Sequence, residues 1–160
     1  MSAASAAPAG RRPLATIGYE AATVASFLEA LRAEGVELLV DVRAVASSRR
    51  PGFAKTRLAA NLQEAGIDYL HLRGLGTPAE GRAAARAGDY GALRAIFLAH
   101  LATPAAQAEL EALADIVRSG RRVCLLCLEA DPAHCHRSMV ATALAALVPL
   151  EVTHLMPADE

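Results

Sequence analysis

Short apolar runs alternate along this chain with longer stretches whose apolar residues recur every three or four positions. Leu14-Ala15-Thr16-Ile17-Gly18 is the first run and ends at a glycine. Val24, Phe27, Leu28 and Leu31 then follow helical spacing, with Thr23 placed to cap the start and Gly35 to stop it. Val36 to Val42 is a second run, broken by Glu37 and closed by Asp41-Val42-Arg43. Such near-continuous hydrophobicity suits a strand covered on both faces. Thr56 to Ala65 reads as a short helix closed by Gly66, and Ile67 to Leu72 as a third strand. Residues 73–88 read as a long loop with a weakly helical, alanine-rich piece that carries Arg82 and Arg86. Two helices follow, roughly Tyr90 to Leu101 and Pro104 to Ser119. A fourth strand covers Val123 to Leu128, a helix runs to about Val148, and Glu151 to Leu155 is a last strand.

Strands alternating with helices predict a single three-layer α/β/α domain over residues 14–157. Its sheet is mostly parallel, of about five strands, Rossmann- or flavodoxin-like. Ligands of such sheets bind outside the carboxyl ends of the strands, near a switch in strand order. Four strand exits carry polar groups: Gly18-Tyr19-Glu20, Asp41-Val42-Arg43, His71-Leu72-Arg73-Gly74 and the stretch from Cys127 to Ser138. Their placement on one edge of the sheet predicts a functional site there.

Composition narrows the setting. A chain of 160 residues can bury a sizeable core, built here from Leu, Val, Ile and Ala because aromatics are only 4%. A net charge of −1 gives no global field toward nucleic acid or membrane. Residues 1–13, rich in Ala, Ser, Pro and Gly, read as a disordered tail without the apolar block of a signal peptide. No run approaches the roughly 18 apolar residues of a membrane-spanning helix. Three cysteines without secretory context point to free thiols in a reducing cytoplasm.

The stretch from Cys127 to Ser138 concentrates the reactive groups. Cys135 precedes His136 and Arg137 at a helix start, where the dipole and a neighbouring cation would favour a thiolate. Cys124-Leu125-Leu126-Cys127 matches a redox or zinc motif only in letters, because on a strand residues three apart point to opposite faces. Cys124 is therefore core, while Cys127, at the rim, could face Cys135 across the turn. His134, Cys135, His136 and Cys127 invite a zinc reading, but the second spaced ligand pair of a structural zinc site is missing. No metal is assigned, and no cofactor is identified. Asp131-Pro132 is a helix start signal, so Asp131 has a capping role; α-helix could begin there or at Cys135. In the second case the amides of His136, Arg137 and Ser138 would form an anion cradle. Residues 43–57 carry Arg43, Arg49, Arg50, Lys55 and Arg57 without an acid, with Phe53 stranded among them. Arg43 and Arg137 suit phosphate or carboxylate; Tyr19 offers a stacking face and His71 a proton carrier.

Taken together, Thr16-Ile17-Gly18-Tyr19, Asp41-Val42-Arg43, the Ser48 to Phe53 loop, Tyr69-Leu70-His71-Leu72, Gly74-Leu75-Gly76 and Cys127 to Ser138 resemble the domain of unknown function 488 family. The most specific part is a strand ending Cys127-Leu128-Glu129 followed by Asp131-Pro132-Ala133-His134-Cys135-His136-Arg137. Ala46 departs from the resemblance, which would place a proline there. The resemblance implies a compact prokaryotic α/β domain and supports one pocket built from Asp41, Arg43, Cys127, Glu129, Cys135, His136 and Arg137, without giving a function. The expectation is a pocket for an anionic, phosphate- or nucleotide-like small molecule. Cys135, His136 and Glu129 are its catalytic candidates; Tyr19, Asp41, Arg43, His71, Cys127, Arg137 and Ser138 line it. The alternatives are a nucleic-acid or protein-binding module using the Arg-rich loop, and a Cys/His metal-dependent enzyme. Nothing in the sequence indicates a membrane partner or an oligomeric state.

Overall fold

The structure, a computed structural model, describes residues 10–158. Five strands, β1 (Arg12–Gly18), β2 (Leu38–Asp41), β3 (Asp68–His71), β4 (Val123–Cys127) and β5 (Leu150–Leu155), pair in parallel in the order β3-β2-β4-β1-β5. Helices α1 (Val24–Glu34), α2 (Lys55–Glu64), α3 (Ala79–Arg86), α4 (Tyr90–Leu101), α5 (Pro104–Arg118) and α6 (His136–Ala145) complete the layers. From β1 the chain passes over one position to β2 and continues outward to β3. β4 then returns to fill the gap between β2 and β1. The expected doubly wound α/β domain is thus present, with β4 at its centre and the exits of β1 and β2 on either side.

Alternation along the strands splits the core into two layers. Leu14, Leu38, Val40, Val123, Leu125 and Cys127 pack with Phe97, Leu110, Leu113, Val140 and Leu144 from α4, α5 and α6. Ala15, Ile17, Leu39, Cys124 and Leu126 pack with Phe27, Leu31, Leu58 and Leu62 from α1 and α2. Every residue of β2 and β4 is buried, as a central parallel strand requires. Burying each large aliphatic side chain contributes about 1.5–3 kcal/mol. The same alternation puts Cys124 and Cys127 on opposite faces, which removes the Cys-x-x-Cys reading.

Local signals hold in detail at α1. The Thr23 hydroxyl accepts from the Ser26 amide at 3.0 Å, and the Ser26 hydroxyl accepts from the Thr23 amide at 3.0 Å. Gly35 ends the helix at φ 75°, a left-handed conformation that side chains rarely adopt. β1 begins at Arg12, inside the stretch expected as a tail; residues 1–9 of that stretch lie outside the described residues. Pro13 is tolerated because Arg12 donates toward β5, through Pro149, so the missing N–H of Pro13 falls on the β4 side, where pairing starts only at Leu14. The long loop expected at 73–88 is instead a 3-10 turn at Arg73–Leu75 followed by α3. Alanine-rich Ala79–Arg86 supplies the propensity, and packing of Gly81 against Thr77, Leu93 and Ile96 supplies the tertiary anchor.

Candidate functional site

The carboxyl ends of β1, β2 and β4 open into a cleft of about 390 Å³. Tyr19, Arg43, Cys127, Glu129 and His136 come from the strand exits, Arg82 and Arg86 from α3, and Tyr90 and Leu93 from α4. The floor follows from how the chain leaves β4. Asp131 accepts from the Ala133 amide at 2.9 Å and starts a single 3-10 turn, Pro132–His134. Cys135 then returns to extended geometry (φ −133°, ψ 144°), and α6 begins at His136. Both helix starts suggested by the sequence are therefore used, one for each kind of turn. The Ser138 hydroxyl reaches the carbonyls of Pro132 at 2.8 Å and Cys135 at 3.0 Å, so Ser138 braces the turn.

This path brings Cys135 back over the end of β4, where it is disulfide-bonded to Cys127 with the Cα atoms 7.1 Å apart. The expectation of three free thiols is corrected: among the described residues only Cys124 is free, and burial raises its pKa. A disulfide sulfur is no thiolate, so a nucleophilic Cys135 belongs to the reduced pair alone. The imidazole of His136 stands beside both sulfurs, with Nδ1 3.6 Å from Cys127 Sγ and 3.8 Å from Cys135 Sγ. Its Nε2 lies 2.6 Å from the Val42 carbonyl, which can only accept. The proton therefore sits on Nε2, and the Nδ1 lone pair faces the sulfurs. Burial against Phe97 lowers the His136 pKa to about 4, which keeps the ring neutral. Glu129 Oε1 lies 3.2 Å from Cys127 Sγ. Burial, and secondarily the charge of Glu20, pushes its carboxyl pKa up, with Arg137 opposing.

Arg137 is fully buried and does not line the cleft. Its Nε donates to Thr16 Oγ1 at 3.1 Å, Nη1 to the Glu129 carbonyl, and Nη2 to the Ala130 carbonyl at 3.2 Å. It fastens the β4–α6 turn to β1 and so fixes where Glu129 stands. Burial lowers the Arg137 pKa, with Cys124, Glu129 and Asp131 opposing. Gly18 makes the same junction possible: a Cβ there would come within 1.7 Å of the Glu129 carbonyl oxygen.

Asp41 and Arg43 form a second buried unit. Arg43 Nε and Nη2 donate to the two Asp41 oxygens at 2.9 and 2.7 Å, and Nη1 donates to Tyr19 Oη at 3.2 Å and to the Phe53 carbonyl at 2.8 Å. Burial alone would lower the Arg43 pKa, but the Asp41 hydrogen bonds and charge, helped by Tyr19, raise it. Tyr69 donates to Asp41 Oδ2 at 2.5 Å, and burial followed by Asp41 raises its pKa. Tyr19 stacks on Phe53 with centroids 4.6 Å apart. Phe53, stranded among cations in the sequence, is a core residue, and Arg43, which donates to its carbonyl, is only 6% exposed; Arg49 before α2 and Lys55 and Arg57 in its first turn are exposed cations of that stretch. His71 Nε2 meets the Arg43 carbonyl at 2.7 Å, so it supports the loop from outside the cleft. The sequence reading named Tyr69 only within a strand motif and placed Arg82 and Arg86 on a weakly helical piece of a loop, none of them among the site residues. It also missed Tyr90, whose ring stacks on His134 at 4.1 Å.

A family model described as Domain of unknown function DUF488 matches residues 23–144. The chain belongs to the DUF488 family. The matched region holds β2, β3 and β4, the buried Asp41–Arg43 pair and the whole Cys127 to Ser138 turn. The first strand, with Thr16 and Gly18, and Tyr19 just after it lie outside that match, although Tyr19 lines the cleft and Thr16 and Gly18 hold the β4–α6 turn against it. No curated protein and no solved structure matches the chain. No helix among the described residues is long and apolar enough to cross a membrane.

Proposed function

We propose that this DUF488 chain binds and processes a small anionic molecule, nucleotide-like or a sugar phosphate, in the cleft at the ends of β1, β2 and β4. The observation that carries the proposal is the convergence of Cys127, His136 and Glu129 on the cleft that Arg82 and Arg86 also line, with Cys135 joined to Cys127 just behind them. Reactive groups at a topological switch point are where ligands of parallel α/β sheets bind. A cavity of about 390 Å³ is of small-molecule size.

The roles divide by exposure. Arg82, half-buried with Nη1 donating to the Thr77 carbonyl at 2.9 Å, and the exposed Arg86 supply positive charge on one wall. Arg43 lines the cleft too, but four of its N–H groups are taken by protein acceptors, so it shapes the site more than it holds the anion. Val45, Leu128 and Tyr90, exposed by 52%, 41% and 40%, give the cleft an apolar rim suited to a ring or base. Glu129, with its raised pKa, is the acid–base candidate; Cys127 and Cys135 are the reactive pair. Thermal-shift screening of reduced protein against nucleotides and sugar phosphates tests the reading. A true ligand at about 100 times its Kd stabilises by about 2.7 kcal/mol. Failure of every anion at millimolar concentration would refute the proposal.

A further inference from the structure

We propose that the reduced form of the Cys127–Cys135 pair, together with His136, binds one thiophilic divalent cation of the zinc type at the cleft floor. The inference rests on the cleft being the working site and specifies the chemistry of its floor. Among the described residues this is the one group of three such donors whose ligand atoms all lie within 4.8 Å of one another.

Four features point to a metal. The first is distance. Zn–S bonds of about 2.3 Å and a Zn–N bond of about 2.0–2.1 Å at tetrahedral angles put sulfur and nitrogen about 3.6 Å apart. The two observed Sγ–Nδ1 separations are 3.6 and 3.8 Å. The second is the histidine. Its Nε2–H is held by the Val42 carbonyl, which aims the Nδ1 lone pair at the sulfurs; a backbone carbonyl in this position is the usual outer support of a metal-bound imidazole. The third is the backbone. Cα atoms 7.1 Å apart stand just beyond the roughly 4.4–6.8 Å that disulfides commonly span, so that on reduction the two sulfurs can separate around an ion without the backbone closing further. The fourth is the donor set. Two thiolates and an imidazole select soft or borderline cations over magnesium or calcium.

Three protein ligands leave a fourth position, which in catalytic zinc sites takes water or substrate. Glu129, 3.2 Å from Cys127 Sγ and itself lining the cleft, stands beside it. A metal there would polarise a bound oxygen of the substrate or lower the pKa of a bound water. Formation of the site balances simply. A dithiol reductant passes two electrons and two protons to the Cys127–Cys135 bond and ends as a cyclic disulfide. Each thiol then releases its proton as it binds the cation. The oxidised pair has no thiolate to offer, so metal binding and the disulfide exclude each other.

The test is competition for zinc between the protein and a chromophoric chelator, with cobalt substitution as a second readout. Reduced, full-length protein should take up one zinc and, with cobalt, show thiolate-to-metal charge transfer and intense tetrahedral d–d bands. Protein oxidised to the disulfide should take up none, a comparison that needs no variant. Cys127→Ser, Cys135→Ser and His136→Gln, with folding checked by circular dichroism, should each weaken binding by more than about 100-fold. Cys124→Ala, on the other face of the sheet, should bind as wild type. Failure of reduced wild type to compete, or equal binding by the oxidised form, overturns the inference. Either result leaves the anion-binding reading to be judged by its own ligand screen, which has no metal in its readout.

Discussion

Replacing Asp41 by Asn would remove one charge from a pair that the fold has taken out of water. Asp41 has no exposed surface and accepts from Arg43 Nε, Arg43 Nη2, the Arg43 amide and Tyr69 Oη, at 2.9, 2.7, 3.1 and 2.5 Å. An Asn in its place offers one oxygen and one amide group, so an N–H must point at a donor, and the guanidinium is left buried without its counter-charge. Breaking such a pair from one side costs about 3–5 kcal/mol. For a domain of this size, about 2–4 °C of Tm per kcal/mol converts this to a fall of about 6–20 °C. Replacing both partners by apolar residues, Asp41→Leu with Arg43→Met, should cost less than the sum of the two single changes. Urea unfolding of the four proteins, closed as a double-mutant cycle, reads the coupling directly. A loss below about 1 kcal/mol for Asp41→Asn, or strict additivity in the cycle, would refute the view of this pair as the cleft's structural frame. Arg43 would then be available to a ligand after all.

Three further outcomes follow from named contacts. Arg137→Lys keeps the charge but cannot reach Thr16, Glu129 and Ala130 together; about 2–4 kcal/mol of stability should be lost, and amide exchange over residues 129–135 should quicken while β5 exchanges as before. Gly18→Ala places a methyl group within 1.7 Å of the Glu129 carbonyl oxygen; about 1–3 kcal/mol of overpacking should appear in chemical denaturation, with loss of whatever ligand response the wild type shows. Thr23→Ala removes the α1 capping box and should cost about 1 kcal/mol while leaving ligand response unchanged.

The fold was legible because each central strand is an apolar run and each helix carries its own start or stop signal. Thr23, Gly35 and Gly66 did most of that at α1 and α2. α3 was not legible: its alanines are weakly patterned, and what fixes it is the fit of Gly81 against Thr77 and α4, a tertiary contact. The position of the cleft was legible as well, since strand exits in a parallel sheet share one edge. Its division of labour was not. Arg43 and Arg137 look in sequence like exposed anion ligands, yet both are buried structural clamps, because only the fold reveals that Asp41 and the carbonyls of Glu129 and Ala130 stand within their reach. The approach of Cys135 to Cys127 depends on one 3-10 turn at Pro132–His134, whose outcome the letters Asp131-Pro132 leave open. Arg82 and Arg86 face the cleft only because α3 folds over it.

The most direct test of the central claim, that the cleft is where this domain meets its ligand, is amide chemical-shift mapping of reduced, isotope-labelled protein. The titrant is the best anion from the thermal-shift screen. Shifts concentrated at Tyr19, Glu129, His136, Arg82 and Arg86, and abolished by Arg82→Ala with Arg86→Ala, are the expected result. Shifts confined to the exposed cations Arg49, Lys55 and Arg57, with the cleft amides unmoved, would contradict it.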